Sequence, residues 1–490
     1  MAGIRKTDPR LWSSLAVMRG SVGLSSLHFC VPTVLWLPHQ PKHLDLNGNE
    51  FTLPNFKLRD IHAAIPRNCF RKSISTTLYY VSRDLCYFLL TAGITQIFVP
   101  LIPNLYLRFL AYTFHTLLSG LILTGIWILG HEAGHNTLTP SPTINSTIGF
   151  ILHSLLLTPY FSFQATHAKH HQATNDLKND TVFVPQSRAQ WIEFFFGRDA
   201  NPKSPVFAEL AEDAPLVSLW HCILHQLLGW PGYLVDNATG VESKHGFPYA
   251  SHFWFFPSSL LFNDSQLVGV FLSDLGIGCM AYILWRCVLT FGWWNMGIYY
   301  FLPYIWLNHW IVAITYCQHT SAIIPHYTPE VHTFILGALS TVDRPNSFLF
   351  SIPLPPNPWR SAISINIDEI FWHNMNSTHV LHHLCSTIPF YHAAEATEAV
   401  RPLLGKHYHS DSTPLWKALW DSQKNCQFVE ESVGMDGSGV FMWRNLHNGG
   451  KNSAEGMRDS KEEERAIGFA KSFLRCLFFD KGLVIPPPKW

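Results

Sequence analysis

Three groups of histidines stand at spacings that let neighbouring imidazoles reach one metal ion. They are His131-Glu-Ala-Gly-His135, His167-Ala-Lys-His170-His171 and His379-Val-Leu-His382-His383. Residues three or four apart share a helix face, so each group offers at least two ring nitrogens on one stripe. A single HxxxH or HxxHH is commonly incidental, structural or a surface feature. Three such groups, each following or approaching an apolar stretch, are hard to explain that way. Their eight imidazoles exceed the coordination of one ion, and two ions sharing them is the economical reading. Neutral nitrogen ligands with open positions suit a redox metal that activates O2; acids and bases alone cannot break an unactivated C–H bond. Glu132 completes an HExxH pattern, which on a helix can be a zinc-protease site with the glutamate as general base. A zinc hydrolase needs only three protein ligands, however, and leaves the other two groups without a role.

The elements that must position these groups are apolar. A bilayer core takes about 20 mostly apolar residues per helical span. Cys86–Pro103, Phe109–Gly130, Leu267–Cys287 and Trp294–Tyr316 meet that length, the last two joined by a short aromatic turn at Phe291–Trp294. Ile148–Phe163 is apolar but short and broken by Pro159, which fits a re-entrant or interfacial segment better than a span. Four spans put both termini and all three histidine groups on one side. Arg67, Arg71, Lys72 and Arg83 flank the first span and mark that side as cytosolic. The expected fold is an all-α integral-membrane architecture of about four transmembrane helices plus the re-entrant segment. A cytosolic helical cap would carry the metal site. Residues 1–80 read as a cytosolic N-terminal leader, 81–400 as the membrane domain and 401–490 as a cytosolic tail. Within that tail, 449–465 reads as a solvated charged loop. His115 and Asp274 fall inside spans, away from the histidine groups, and are expected to make buried hydrogen bonds between helices.

Composition agrees with a membrane chain. Hydrophobic residues are 47% of the 490 and charged residues only 14%, below the usual roughly 25%. Aromatics, with 18 Trp and 35 Phe, are enriched as membrane interfaces require. Basic and acidic residues balance at 34 each, so nothing points to a nucleic-acid partner. The 10 cysteines form no CxxC pair, which argues against a disulfide framework or a cysteine-based zinc site. The N-terminal stretch lacks a signal-peptide core because Arg19 and polar residues interrupt it.

Beyond the three groups, the segments HSLLLTPYFSFQATHAKHHQATN, TYCQHTSAIIPHY, GALSTVDR and STHVLHHLCSTIPFYHAAEATEAV carry a wider likeness. Over roughly residues 50–430 the chain resembles the histidine-box membrane fatty-acid desaturase family, in its plant and fungal oleate Δ12-desaturase-like branch. The resemblance implies that His131, His135, His167, His170, His171, His379, His382 and His383 hold two non-haem irons. It also points to His319 as a further ligand just beyond the last span, and to His326 and His392 as hydrogen-bonding neighbours of the site. The implied reaction uses O2 and two electrons to remove two hydrogens from adjacent methylenes, leaving a cis double bond and water. Its expected substrate is a monounsaturated acyl chain, oleoyl going to linoleoyl. The chain contains neither a GxGxxG fingerprint nor an HPGG haem motif. The expected electron donor is therefore an external cytochrome b5 with its reductase, and the expected residence is the endoplasmic-reticulum membrane.

Three positions depart from the branch pattern: Ala133 where Cys is frequent, Ser377 where an acidic residue is frequent, and the Pro-rich insertion Pro345–Ile370. The insertion reads either as a cover for the active-site mouth or as an ordinary solvated loop. Competing readings on the same centre are a ω3-type desaturase and a fatty-acyl hydroxylase or acetylenase. More distant ones are the membrane HExxH zinc protease and a non-catalytic membrane binding protein.

Overall fold

The computed structural model describes residues 42–196, 215–240, 248–345, 349–353 and 362–445. Most of the expected leader, the charged loop at 449–465 and part of the insertion lie outside the described residues.

The first long helix, α1 (Ile74–Phe98), is capped by the Ser73 hydroxyl, which accepts from the Thr76 N–H. It begins a dozen residues before the apolar run read from the sequence, because its charged turn is neutralised in place. Arg83 and Asp84 pair at 2.7 Å, and the Asp84 carboxylate also meets His373 Nε2 at 2.9 Å. The next helix, α2 (Leu105–Gly134), starts on the Asn104 side chain and runs 30 residues. That is about 45 Å, longer than a hydrocarbon core of about 30 Å, so its final turn extends past the apolar layer. Exposure along α2 follows the same logic. Its first turns present Leu105, Tyr106 and Phe109 outward, whereas Ile122–Ala133 are almost wholly buried. Leu89, Ile97 and Leu289 are likewise large, apolar and exposed, as lipid-facing side chains are and water-facing ones rarely are.

Helices α3 (Pro142–Leu155) and α4 (Tyr160–Ala173) meet at a bend of 109°. Leu157, at φ +52°, lies in that break. The expected re-entrant segment thus takes the form of two short helices folded across one another. α5 (Pro215–Asp236) packs beside the last long helix. The stretch Leu267–His319 is predominantly apolar, yet Gly292, at φ +78°, breaks it into two arms. Met280, Leu284 and Val288 of α6 (Leu267–Met296) pack on Met296 and Phe301, so the chain folds back on itself. A π-helical turn, Gly297–Phe301, leads into α7 (Leu302–His319). Four long apolar arms result, as the sequence predicts.

The cap combines α8 (His379–Leu384), α9 (Phe390–Leu404) and α10 (Leu415–Asn425) with strands that the sequence reading does not anticipate. β1 (Pro325–Tyr327) heads that set, and the insertion contributes the hairpin β2 (Leu349–Pro353) and β3 (Ala362–Asn366). β4 (Phe428–Glu431) and β5 (Val440–Arg444) come from the tail. β5 pairs antiparallel with both β1 and β4, so the described part of the tail, up to residue 445, belongs to the cap. Inside the spans, His115 bonds Ser119 of its own helix at 3.4 Å and meets the Tyr299 ring of the next arm. Asp274 Oδ1 has no hydrogen-bond partner among the described residues. The expected interhelical hydrogen bonds are therefore replaced by a local bond at His115 and none at Asp274 Oδ1.

Close helix crossings use glycine. A Cβ on Gly125 of α2 would run into the Phe371 carbonyl oxygen, which is backbone and cannot rotate away. Gly125→Ala is expected to destabilise the protein by about 1–3 kcal/mol through overpacking. Thermal unfolding of the detergent-solubilised protein, followed by thiol-reactive dye or size-exclusion fluorescence, measures this. An unchanged midpoint would contradict the crossing.

Candidate metal centre

Each histidine group is delivered by a helix end. His131 stands in the last turn of α2 and His135 follows it as the cap. His167, His170 and His171 occupy the second half of α4, and His319 is the final residue of α7. The third group makes up most of α8. These ends converge beside the central core formed by α2, α4, α5 and α7.

The nine imidazoles divide into two sets. Donor nitrogens of His131, His135, His167, His171 and His382 all lie within 4.8 Å of one another, as do those of His170, His319 and His383. His379 joins the second set, its Nε2 3.0 Å from His319 Nε2. The His171 and His383 rings stack at 4.1 Å, so the sets adjoin. Helix geometry explains the division. At about 100° per residue, positions i and i+4 point about 40° apart, whereas i+3 and i+4 point about 100° apart. His167 and His171 accordingly share one set while His170 turns to the other. In the third group His379 and His383 go together and His382 crosses over.

Several observations test whether metal ions fit here. His131 Nε2 is 2.6 Å from His167 Nε2, which is 3.0 Å from His171 Nε2. Facing ring nitrogens at such distances repel unless a proton or cation lies between them. Nε2 of His135, His382 and His383 is buried with no hydrogen-bond partner. Burial, reinforced by neighbouring imidazoles, holds His379, His382 and His383 well below the ordinary histidine range, so they are neutral donors at physiological pH. The residues fit a pair of ions, and either set could hold one.

Outer partners fix ring orientation. His170 Nδ1 meets Asp180 Oδ1 at 2.8 Å, and His383 Nδ1 meets Thr174 Oγ1 at 3.1 Å. A proton on Nδ1 leaves Nε2 as the free donor. Glu132 sits behind the rings, with Oε1 3.5 Å from His131 Nδ1 and 3.6 Å from His382 Nδ1. Its Oε2 accepts from the Thr137 hydroxyl at 2.8 Å. Glu132 does not line the cavity described next, so it is not placed as the general base of an HExxH hydrolase.

An apolar cavity opens on His131, His167, His170, His319 and His379, so both sets face it. Its wall includes Trp127, Phe163, Trp230, Ile311 and Val312, with Thr124, His225, Thr315 and Gln318 as scattered polar members. Its apolar wall suits contact with hydrocarbon beside both sets of nitrogens.

All nine histidines expected as metal ligands, His319 among them, are thus brought together. His326 is buried against the Trp443 ring on the sheet, close enough for the Asp180 carboxylate to act on it. His392 lies elsewhere, beside Cys69 and Glu395, and no described contact joins it to the nine. Ala133 is fully buried, and the Ser377 hydroxyl donates to the Asn374 carbonyl at 3.2 Å. Asp180 and Thr174 escape the sequence reading. The one available signal is a mostly polar run, Thr174–Thr181, that begins three residues after the second group.

Comparison with known proteins agrees with this geometry. The family model described as fatty acid desaturase matches residues 107–414. The chain is 38% identical over 422 residues to an oleate hydroxylase from Claviceps purpurea, covering 82% of this chain and 83% of that one. It is 36% identical over 388 residues to a Δ12 fatty acid desaturase from Mortierella isabellina, covering 78% and 90%. With a Δ12 fatty acid desaturase from Mortierella alpina it shares 37% identity over 391 residues, again 78% and 90%. A match over most of the chain, together with apolar helices and histidine sets that could bind metal, shows that the protein belongs to the fatty acid desaturase family, in its Δ12-like branch, and is a membrane oxidoreductase.

Proposed function

We propose that the protein is an O2-dependent fatty-acyl desaturase that places a cis double bond in a monounsaturated acyl chain, in the Δ12 manner that turns oleoyl into linoleoyl. The observation that carries this reading is the pair of imidazole sets opening onto one apolar cavity. His131, His135, His167, His171 and His382 would hold one iron, and His170, His319, His379 and His383 the other. Bound there, iron supplies the O2-dependent oxidation of an unactivated C–H bond. The chain's own residues contribute by position. Trp127, Ile311 and Val312 hold the hydrocarbon by apolar contact and exclude water, and the methylenes they present to the two sets become the new double bond. Asp180 and Thr174 keep His170 and His383 turned inward, and no side chain has to act as an acid or base on the substrate.

Electrons would come from a separate cytochrome b5 and its reductase at the cytosolic face of the endoplasmic reticulum, where both termini and the histidines would lie. The sequons at Asn145, Asn179, Asn237 and Asn376 test that orientation. Asn179 is exposed, as is Asn263 of a fifth sequon, Asn263-Asp264-Ser265, whereas Asn145, Asn237 and Asn376 are fully buried, so Asn179 and Asn263 are the decisive ones. Expression with microsomes is expected to give no glycosidase-sensitive mass shift. A shift abolished by Asn179→Gln, by Asn263→Gln or by both together would place the histidines in the lumen.

A second reading, fatty-acyl hydroxylation at the same centre, is favoured by the oleate hydroxylase among the relatives. Expression in a eukaryotic host that makes only monounsaturated fatty acids separates the two. Gas chromatography–mass spectrometry with double-bond derivatisation is expected to find a new 9,12-diene. A hydroxylated acyl chain would favour the second reading, and the absence of both products from cells holding stable protein would overturn both.

A further inference from the structure

A second convergence of ligand-type side chains lies outside the histidine centre. Cys69 stands in the short turn Arg67–Phe70 that precedes α1, and His392 and Glu395 stand one turn apart on α9. One sulfur, one imidazole nitrogen and one carboxylate oxygen from these residues all lie within 4.8 Å of one another. The carboxylate is held in place by Asn68, whose amide donates to both of its oxygens at 3.0 and 3.2 Å. His392 Nδ1 is 3.8 Å from Glu395 Oε2, and the thiol is within hydrogen-bonding reach of the same carboxylate. On its inner side Cys69 is fully buried among Ile61, Ile65, Ala393 and Ala396. Beside it the His392 and Glu395 side chains are 27% and 52% exposed, so solvent and ions reach those two donors, and the Cys69 sulfur lies within 4.8 Å behind them.

The donor types decide which ion this arrangement suits. Calcium and magnesium take oxygen ligands and have little use for a thiol or imidazole. A thiolate, an imidazole and a carboxylate are the ligand types of zinc, and three protein ligands leave the fourth position of a tetrahedron open. We infer that Cys69, His392 and Glu395 form a zinc-binding site, separate from the histidine centre, that joins the Arg67–Phe70 turn to α9 with one position open to solvent. On binding, the Cys69 thiol loses its proton to water and its sulfur bonds the ion, whose charge then offsets the thiolate and the Glu395 carboxylate. Neighbouring residues already tie α9 to the start of α1, since the Ser73 N–H donates to the Tyr391 hydroxyl at 2.7 Å. Zinc would strengthen the junction between the start of α1 and the helix that follows His379–His383. A search for CxxC pairs misses this site, because its single cysteine comes from one end of the domain and its helix pair from the other.

The test uses the full chain purified in detergent, equilibrated with zinc sulfate and freed of loosely held metal by gel filtration. Mass-spectrometric metal analysis is expected to find about one zinc per chain in addition to iron. Cys69→Ser and His392→Ala are expected to lose that zinc while iron stays at the wild-type level. His382→Ala is expected to keep the zinc, which distinguishes this site from zinc occupying the histidine centre. Cobalt(II) in place of zinc is expected to give a sulfur-to-metal charge-transfer band that Cys69→Ser abolishes. Should Cys69→Ser fail to fold, the exposed Glu395→Gln serves instead, with a loss of zinc affinity of roughly tenfold or more. Zinc that persists in these variants, or a wild-type protein with neither zinc nor the cobalt band, would overturn the inference.

Discussion

Replacing His382 by alanine is expected to abolish product formation and to strip metal from the centre. Its ring meets those of His131, His135 and His171 at 4.7–4.8 Å, so it stands in the middle of the five-nitrogen set. It is also the one member that the third histidine group contributes to this set. Without it, four imidazoles converge on the space its ring filled, and the ion's remaining position is no longer fixed. The loss should exceed the roughly 100-fold that removing an outer partner of a metal ligand costs. In the monounsaturated host, any 9,12-diene should fall below detection, while iron measured in the purified protein falls in parallel. His407→Ala is the control, since that ring packs at the edge of the cap against Phe56, and its product and iron should match the wild type. Full iron content in His382→Ala with no product would show that His382 acts on the substrate side and is not a ligand.

The histidine groups are legible in the sequence because their chemistry depends on local spacing. A run of i, i+3 and i+4 histidines keeps its meaning wherever the helix is placed. The spans are legible for a similar reason, being set by apolar length, and the turn at Phe291–Trp294 announces itself by Gly292 between aromatic residues. Legibility ends where a feature depends on partners far along the chain. α1 begins at Ile74, ahead of the apolar run from Cys86, because His373, nearly three hundred residues later, meets the Asp84 carboxylate. No window on the sequence contains both partners. The sheet fails for the same reason: β1 is three residues long and is a strand only because Val440–Arg444 returns to pair with it.

The two HxxHH groups show the boundary most clearly. Spacing predicts that at least two rings of each share a stripe, which holds for His167 with His171 and for His379 with His383. It does not say where the third ring goes. Each odd histidine turns to the other set, so both groups serve both sets, and α4 and α8 must be held at a fixed mutual orientation. His392 illustrates the opposite error. Its nearness in sequence to the third group implies a place beside the centre, but α9 carries it away to Cys69 and Glu395. Sequence separation is a poor guide to distance once a turn intervenes, and here Cys385–Pro389 provides it.

The requirement that α4 hold its orientation leads to the second large effect, expected at Asp180. This carboxylate is fully buried and satisfies three groups besides His170: the N–H of Asn175 at 3.0 Å, of Val182 at 2.8 Å and of Phe183 at 3.3 Å. It therefore fixes the chain leaving α4 and the tautomer of His170 together. Asp180→Ala removes the acceptor for the His170 Nδ1 proton, freeing the ring to turn or to present the wrong nitrogen. Outer partners of this kind contribute about 10–100-fold to metal affinity, and that loss is expected for the His170, His319, His379 and His383 set. Leaving the buried N–H groups unsatisfied should lower stability by about 1–3 kcal/mol as well. Asp180→Asn keeps an acceptor oxygen and should recover most of the stability but not the charge that steadies the ring, so the two losses separate. Iron retained against increasing chelator, read beside thermal unfolding, measures both. If iron retention is unchanged in Asp180→Ala while the melting midpoint falls, the carboxylate is a loop brace alone and the tautomer of His170 is set by the metal itself.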